Sequence, residues 1–188
     1  MNIFYLDQNP EVAAQYACDK HVVKMILETA QLLSTAHRVL DGRDLQMNSL
    51  LEEQTMYKAT HINHPSAKWV RESAYNYRWL YLYFCELNEE YRIRYKKDKD
   101  HLSFAKLKDL LHNPPTKAPV NKIGTEPPTC MPDECKIPGN VVESYRKYYV
   151  MEKRSFATWK NPAKTPEWFE NGLQQSEQIR NKEINIVQ

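Results

Sequence analysis

The sequence predicts an all-α protein that forms one compact helical domain over residues 1–188. Apolar residues recur at helical spacing from about residue 11 to Leu40, and this stretch contains no glycine or proline. No segment alternates apolar and polar residues in the way that a half-buried strand does. Of the 188 residues, 41% are hydrophobic and 27% are charged, an ordinary balance for one globular domain with one core.

The first predicted helix follows a short apolar segment, residues 1–9. Asn9-Pro10 is typical of a helix start, because asparagine caps free backbone N–H groups and proline suits the first turn. The helical pattern ends at Asp41-Gly42, where glycine favours a stop. The same span is compatible with two helices separated by a break near Cys18-Asp19.

Two more helices are predicted in the middle of the chain, after a polar stretch with a short helix around Leu50 to Lys58. His64-Pro65 precedes a second long helix over about 66–95, which is rich in tryptophan and tyrosine and turns basic at its end. A shorter helix is predicted over 101–112. We expect the tyrosines and tryptophans of the second long helix to be largely buried against the first.

The last third of the chain begins with a proline-rich segment, residues 113–139, which we predict to be an extended loop. A final substantial helix is predicted over 141–159, which is rich in tyrosines and basic residues. Residues 176–188 are polar, and we expect this tail to fray.

Composition excludes several classes of function. The chain has only 4 glycines and contains neither GxGxxG nor GxxxxGK[ST], so a Rossmann or P-loop nucleotide site is not predicted. Its net charge of +2 is mild for a dedicated DNA-binding module, although clustering of charge matters more than the sum. No run approaches the roughly 20 apolar residues of a membrane span, and no signal-peptide pattern occurs. We therefore expect a cytoplasmic protein with four reduced cysteines, no membrane partner and no cofactor.

A line of polar residues on the first long helix is the main candidate site. Positions 17, 21, 24, 28, 31, 35 and 38 share one helical face, and the neighbouring faces are apolar. The stripe either faces water, which is the usual role of a polar stripe, or lines a pocket between packed helices. In a pocket, a carboxylate beside an ammonium and an imidazole is a candidate acid or base. The residues of this stripe that we single out are His21, Lys24, Glu28 and Gln31.

A second group of polar residues surrounds the start of the second long helix. Asn63 or Ser66 can serve simply as a helix cap, and the aromatic residues that follow can simply pack the core. Interleaved aromatic and arginine side chains also suit base stacking and phosphate contacts. The candidate binding residues here are Asn63, His64, Arg71, Tyr75 and Asn76.

Zinc is a less favoured alternative. Cys18 and His21 on the first helix, with Cys130 and Cys135 on the loop, contain the donors of a Cys3His site. The spacings are loose, and a cysteine on an apolar helix face is usually a small core residue. We therefore predict no metal site.

Three short motifs resemble the pyrimidine-dimer DNA glycosylases of bacteriophages and bacteria, which are small all-helical enzymes. They are Asp19-Lys20-His21-(x6)-Glu28, Asn63-His64-Pro65-(x3)-Trp69 and Tyr145-Arg146-Lys147-Tyr148-Tyr149. The resemblance implies a DNA glycosylase and lyase in which the N-terminal α-amino group attacks the sugar C1′ and forms a Schiff base. It makes Glu28 the assisting glutamate, places His21 beside it, and leaves Met1 or Asn2 as the source of the amine.

The chain also departs from that family's pattern. Asn2 is bulkier than the small second residue that permits removal of the initiator methionine. The arginines expected near the glutamate are replaced by Leu27 and Leu32, and Lys24 is the candidate replacement for part of their charge.

Two functions remain as alternatives to the enzyme: a non-catalytic phage module that binds a nucleotide or small anion, and a DNA-binding accessory without pocket chemistry. Where DNA is bound, we expect contacts from basic residues near the ends of two helices. They are Arg92, Arg94, Lys96, Lys97, Arg146, Lys147, Lys153 and Arg154.

Overall fold

The computed structural model describes residues 1–42 and 56–187, and within these residues it contains seven α-helices and no strand. The all-α prediction is confirmed. A 3₁₀ turn, Asp133–Cys135, precedes α6, and a π-helical turn, Tyr149–Lys153, follows it. The helices are α1 (Pro10–Tyr16), α2 (Asp19–Leu40), α3 (Pro65–Glu72), α4 (Ala74–Arg94), α5 (Leu102–Leu111), α6 (Val141–Tyr148) and α7 (Glu167–Val187).

The predicted break in the first long helix is confirmed. The Asn9 side chain accepts a hydrogen bond from the backbone N–H of Glu11 and begins α1, whereas Ala17 and Cys18 are extended. The guanidinium of Arg94 donates to the carbonyl oxygens of Gln15 and Ala17, both at 2.7 Å. Arg94 therefore satisfies carbonyls that the end of a helix leaves without partners.

The second long helix, predicted as one element, is two helices in the structure. Ser73 is extended, with φ −154° and ψ 155°, and its hydroxyl caps α4 by accepting from the backbone N–H of Asn76. The backbone N–H of Ala74 donates to Pro119 of the proline-rich segment at 2.9 Å, which a continuous helix would prevent. The prediction was wrong at this position because the break depends on a contact that is distant in sequence.

The core forms where α2 packs against α3, α4 and α5. Tyr77 and Tyr83 of α4 are completely buried, and Trp69 of α3 is 3% exposed, as predicted for this aromatic region. Tyr75 differs, since 58% of it is exposed. The first residues of the chain, Ile3 to Leu6, also enter the core.

The C-terminal third differs from its prediction in two ways. The helix predicted over 141–159 ends as an α-helix at Tyr148 and continues only as the π-helical turn. No helix was predicted after residue 159, whereas Glu167–Val187 form α7 in the structure. Residues 113–139 are an irregular segment apart from the 3₁₀ turn, as predicted.

The short helix predicted at Leu50 to Lys58 falls mainly outside the described residues, and residues 56–58 are not helical. Among the helices in the described part of the chain, none is both long and apolar enough to cross a membrane.

Candidate functional site

The Glu28 carboxylate lies at the centre of the candidate site, on the exposed side of α2. Its side chain is 16% exposed. One oxygen, Oε1, lies 3.2 Å from Nζ of Lys24, one helical turn earlier. The other oxygen, Oε2, accepts a hydrogen bond from the backbone N–H of Asn2 at 3.3 Å. The carboxylate therefore lies between a cationic side chain and the first residues of the chain.

The N-terminal segment, residues 1–7, is fixed at several points. The side chain of Asn2 donates to the Cys130 carbonyl at 2.9 Å and accepts from the hydroxyl of Tyr145 at 2.9 Å. Farther along, the Leu6 carbonyl accepts from Nε of Arg146 at 3.0 Å. These contacts hold the start of the chain against α2 and α6.

His64 lies near both the chain terminus and Glu28. Its Nδ1 caps α3 by accepting from the backbone N–H of Ser66 at 3.2 Å, so the neutral ring carries its proton on Nε2. Burial lowers the pKa of His64, the N-terminal ammonium and His61 lower it further, and Glu28 opposes them. His64 is therefore a neutral hydrogen-bond donor. Its pKa responds to both the N-terminal ammonium and the Glu28 carboxylate.

His21 occupies a different environment from the one we expected. It is 6% exposed, stacks on Phe4 with ring centroids 4.1 Å apart, and shares a hydrogen bond with the hydroxyl of Tyr149. Burial lowers the pKa of His21 to about 3, with further lowering by the ammonium groups of Lys153 and Lys24. Glu28 also lies seven positions farther along α2, a rise of about 10 Å. His21 thus packs the N-terminal segment as a neutral ring.

Arg146 and Asn76 likewise bond within the fold. Arg146 is 19% exposed and pairs with Asp7 at 3.3 Å and Glu143 at 2.9 Å, in addition to the Leu6 carbonyl. Asn76 is 2% exposed and donates to the carbonyl of Trp69 at 3.0 Å. Both residues position segments of the chain, and neither offers its polar atoms freely to a substrate.

The remaining predicted binding residues are accessible to different extents. Asn63 and Tyr75 are exposed, Gln31 and Arg71 are half-buried, and Arg71 donates to the carbonyl of Ala67 in its own helix at 3.1 Å. Asn63 precedes His64 directly and is therefore beside the site.

Of the basic residues predicted to contact DNA, Arg94 is the clearest exception. Its side chain is 0% exposed and pairs with Asp19 and Glu90, so it cannot reach a phosphate. Lys96, Lys97, Lys147 and Arg154 are exposed, and Arg92 and Lys153 are half-buried.

Four lysines define a basic surface around the start of α2. Lys20 lies 5.0 Å from the ring centroid of Phe156, whose ring packs against His21. Lys160 lies 4.4 Å from the ring centroid of Tyr95, and its backbone N–H donates to Asp19. Sequence analysis missed Lys20 and Lys160 as members of one surface, because Lys160 is far from α2 in sequence. This basic surface consists of Lys20, Lys24, Lys153 and Lys160.

The cysteines do not assemble with His21 into a zinc site. Cys18 and Cys135 are both completely buried, and burial raises the pKa of each thiol. Within residues 1–42 and 56–187, no three His, Cys, Asp or Glu side chains are grouped so that they could hold a metal ion.

Comparison with known proteins adds one finding. A family model described as pyrimidine dimer DNA glycosylase matches residues 1–103 of the 188, which include α1 to α4 together with Asn2, Glu28 and His64. No curated protein and no solved structure matches the chain.

Proposed function

The chain belongs to the pyrimidine dimer DNA glycosylase family, and from that premise we propose that it excises a damaged base from DNA through an imine formed by its N-terminal amine. The family supports DNA glycosylase activity and a DNA substrate. It does not favour the alternative of a non-catalytic nucleotide-binding module. The mechanism and the residues that carry it out are the proposal.

The observation that supports this mechanism is the 3.3 Å contact between the backbone nitrogen of Asn2 and Oε2 of Glu28. In a chain whose methionine has been removed, this nitrogen is the α-amine. In a chain that keeps Met1, the amine is one residue away, in the electrostatic environment that also lowers the pKa of His64. In the first form the carboxylate is in direct contact with the nucleophile, where it can serve as the adjacent general base that activates an amine.

The proposed reaction begins when the amine nitrogen bonds to C1′ of the damaged nucleotide. The bond from C1′ to the base breaks, and the base leaves with the electron pair and takes up a proton from water. Glu28 accepts the proton that the amine loses and transfers a proton to O4′ as the sugar ring opens to the imine. The imine then acidifies the C2′ position, so that strand scission by elimination becomes possible.

Lys24 and His64 have supporting roles in this proposal. The Lys24 side chain is 66% exposed, so its ammonium can reach a DNA phosphate while it remains near Glu28. The Nε2–H of neutral His64 is a donor for a sugar or base oxygen. Gln31, Asn63, Arg71 and Tyr75 are proposed as further substrate contacts.

The experiment that tests the proposal is borohydride trapping on duplex DNA that contains an abasic site. Borohydride reduces an imine to a stable amine, so the wild-type protein should form a covalent adduct with the DNA. Intact-mass measurement of the purified protein establishes whether Met1 is present. Absence of an adduct, under conditions in which the protein binds the DNA, would contradict the imine mechanism.

A further inference from the structure

We propose that the side chain of Asn2 is a built-in anchor, held by Tyr145 and the Cys130 carbonyl, that fixes the N-terminal amine against Glu28. This inference rests on the proposed function and names the positioning residues of that same site. Both partners lie beyond residue 103, outside the segment that matches the family. The C-terminal part of the chain would thus complete a site whose reactive groups lie in the N-terminal part.

The side-chain amide of Asn2 uses most of its hydrogen-bonding capacity within the protein. Oδ1 accepts from the Tyr145 hydroxyl at 2.9 Å and from the backbone N–H of Ile3 at 2.8 Å. Nδ2 donates to the Cys130 carbonyl at 2.9 Å. An amide oxygen has two lone pairs, so the acceptor capacity of Asn2 is full. These contacts fix the rotation of the side chain and with it the backbone nitrogen that faces Glu28.

Tyr145 is suited to this role because its hydroxyl is inside the protein. The residue is completely buried, and burial raises its pKa, so the phenol keeps its proton. Its single proton is shared between Oδ1 of Asn2 at 2.9 Å and the carbonyl oxygen of Pro128 at 2.7 Å, and its oxygen accepts from the backbone N–H of Cys130 at 3.4 Å. The one hydroxyl therefore joins Asn2 to the segment that contains Cys130.

That segment, residues 119–130, which we call the strap, runs along α3 from its end to its beginning. Pro119 accepts from the backbone N–H of Ala74, just after α3. The Thr125 carbonyl accepts from Nε1 of Trp69 at 3.0 Å, in the middle of α3. At the start of α3, Sγ of Cys130 lies 3.6 Å from Oγ of Ser66. The strap is thus attached to α3 at three points, and the last of them is at Cys130, whose carbonyl accepts from Asn2.

The anchor explains why a bulky residue is suitable at position 2. A small second residue would have no side chain to reach Tyr145 or Cys130, whereas asparagine reaches both. The anchor holds the backbone nitrogen of Asn2 itself. It therefore fixes the amine directly when the chain starts at Asn2, and through one peptide unit when Met1 is present.

The test compares Tyr145→Phe with Tyr77→Phe. Each change deletes the hydroxyl of one completely buried tyrosine, which lies within 3 Å of a backbone carbonyl and of one polar side chain. For Tyr145 that side chain is Asn2, whereas the Tyr77 hydroxyl bonds to the Leu111 carbonyl and to Nε2 of His37, away from Asn2. We expect Tyr145→Phe to slow borohydride-trappable imine formation at saturating DNA about tenfold, with DNA affinity unchanged. Tyr77→Phe should retain the wild-type rate. Equal trapping rates for Tyr145→Phe and wild type would overturn the anchor while leaving the imine mechanism intact.

A second variant protects the test against a folding defect in Tyr145→Phe. Asn2→Leu removes the same hydrogen bonds from a half-exposed position and keeps a bulky second residue, so methionine removal is not altered. It should slow trapping by a similar factor and should not lower the unfolding temperature more than Tyr77→Phe does. A wild-type rate for a folded Asn2→Leu protein would also overturn the anchor.

A readout without DNA separates failure of the anchor from failure of the proposed function. Hydrogen–deuterium exchange of the peptide covering residues 1–6 should be faster in Tyr145→Phe than in Tyr77→Phe. If wild type forms no adduct but this difference is present, the imine mechanism fails and the anchor stands as a structural device. If exchange is the same in both variants, the anchor is overturned whatever the trapping result.

Discussion

Glu28→Gln separates a chemical role for this carboxylate from a structural one. Glutamine keeps the volume and an oxygen that can accept from the backbone N–H of Asn2, but it carries no charge and accepts no proton at neutral pH. The structure predicts a small effect on stability, because the ion pair that disappears is with Lys24, whose side chain is 66% exposed. Such pairs contribute about 0–1 kcal/mol. Unpaired, the Lys24 ammonium remains hydrated.

The effect on the reaction should be much larger. Removal of general acid–base assistance typically costs roughly 10²–10⁴-fold in rate, or about 2.7–5.4 kcal/mol of barrier. A loss of up to about 1 kcal/mol of stability lowers the unfolding temperature of a protein of this size by about 2–4 °C. Glu28→Gln should therefore bind damaged DNA and melt almost as wild type does, yet lose nearly all activity.

The assay is single-turnover base release on damaged duplex, with thermal melting of the same preparations. Glu89→Gln is the matched control, since Glu89 forms an exposed ion pair with Arg92 on α4. It should be active and stable. A Glu28→Gln protein that releases base at the wild-type rate would refute the catalytic role. A large loss of stability with unchanged activity per folded molecule would show that the carboxylate is structural.

Three other predictions concern residues around the site. The free energy of unfolding should fall by up to roughly 1.4 kcal/mol per pH unit from about pH 6.5 towards pH 3, because His21 binds a proton more readily in the unfolded chain. Urea unfolding of His21→Gln should show a shallower pH dependence than that of wild type. Arg146→Gln should lower the free energy of unfolding by roughly 1–3 kcal/mol in denaturant titrations, with the salt dependence of DNA binding unchanged, since its guanidinium bonds within the protein. Replacing Lys20 and Lys160 with glutamate should reduce the log–log salt slope of DNA binding by about one unit for each phosphate that the protein no longer neutralises. The same replacement of Lys106, an exposed residue on α5, should leave the slope unchanged. If the slopes of both variants equal that of wild type, the basic surface does not bind DNA.

Local patterns predicted much of the fold. The spacing of apolar residues predicted α2, Asn9-Pro10 predicted the start of α1, and the break between the two helices was expected near Cys18-Asp19. Each of these signals lies within a few residues of the feature that it predicts. The break at Ser73 was missed because it depends on a distant contact. The backbone N–H of Ala74 donates to the carbonyl of Pro119, which lies 45 positions later in the sequence. Helix α7 was missed because its residues are mostly polar, and its packing depends on aromatic contacts such as Trp159 with Phe169.

The candidate site was predictable only in part for the same reason. The stripe on α2 identified Glu28 and Lys24, but it could not distinguish them from His21, which Phe4 covers. The spacing of polar residues does not reveal which of them the N-terminal segment will bury. The link from Asn2 to Tyr145 spans 143 positions and left no pattern in the sequence.

The most direct test of the central claim is to locate the covalent bond in the borohydride-trapped adduct. Proteolysis and mass spectrometry of the wild-type protein joined to abasic-site DNA would identify the attached residue. The proposed mechanism predicts attachment to the α-amine of the N-terminal peptide, whether that peptide begins at Met1 or at Asn2. Attachment to a lysine side chain, such as that of Lys24, would contradict it, as would the absence of any adduct on DNA that the protein binds.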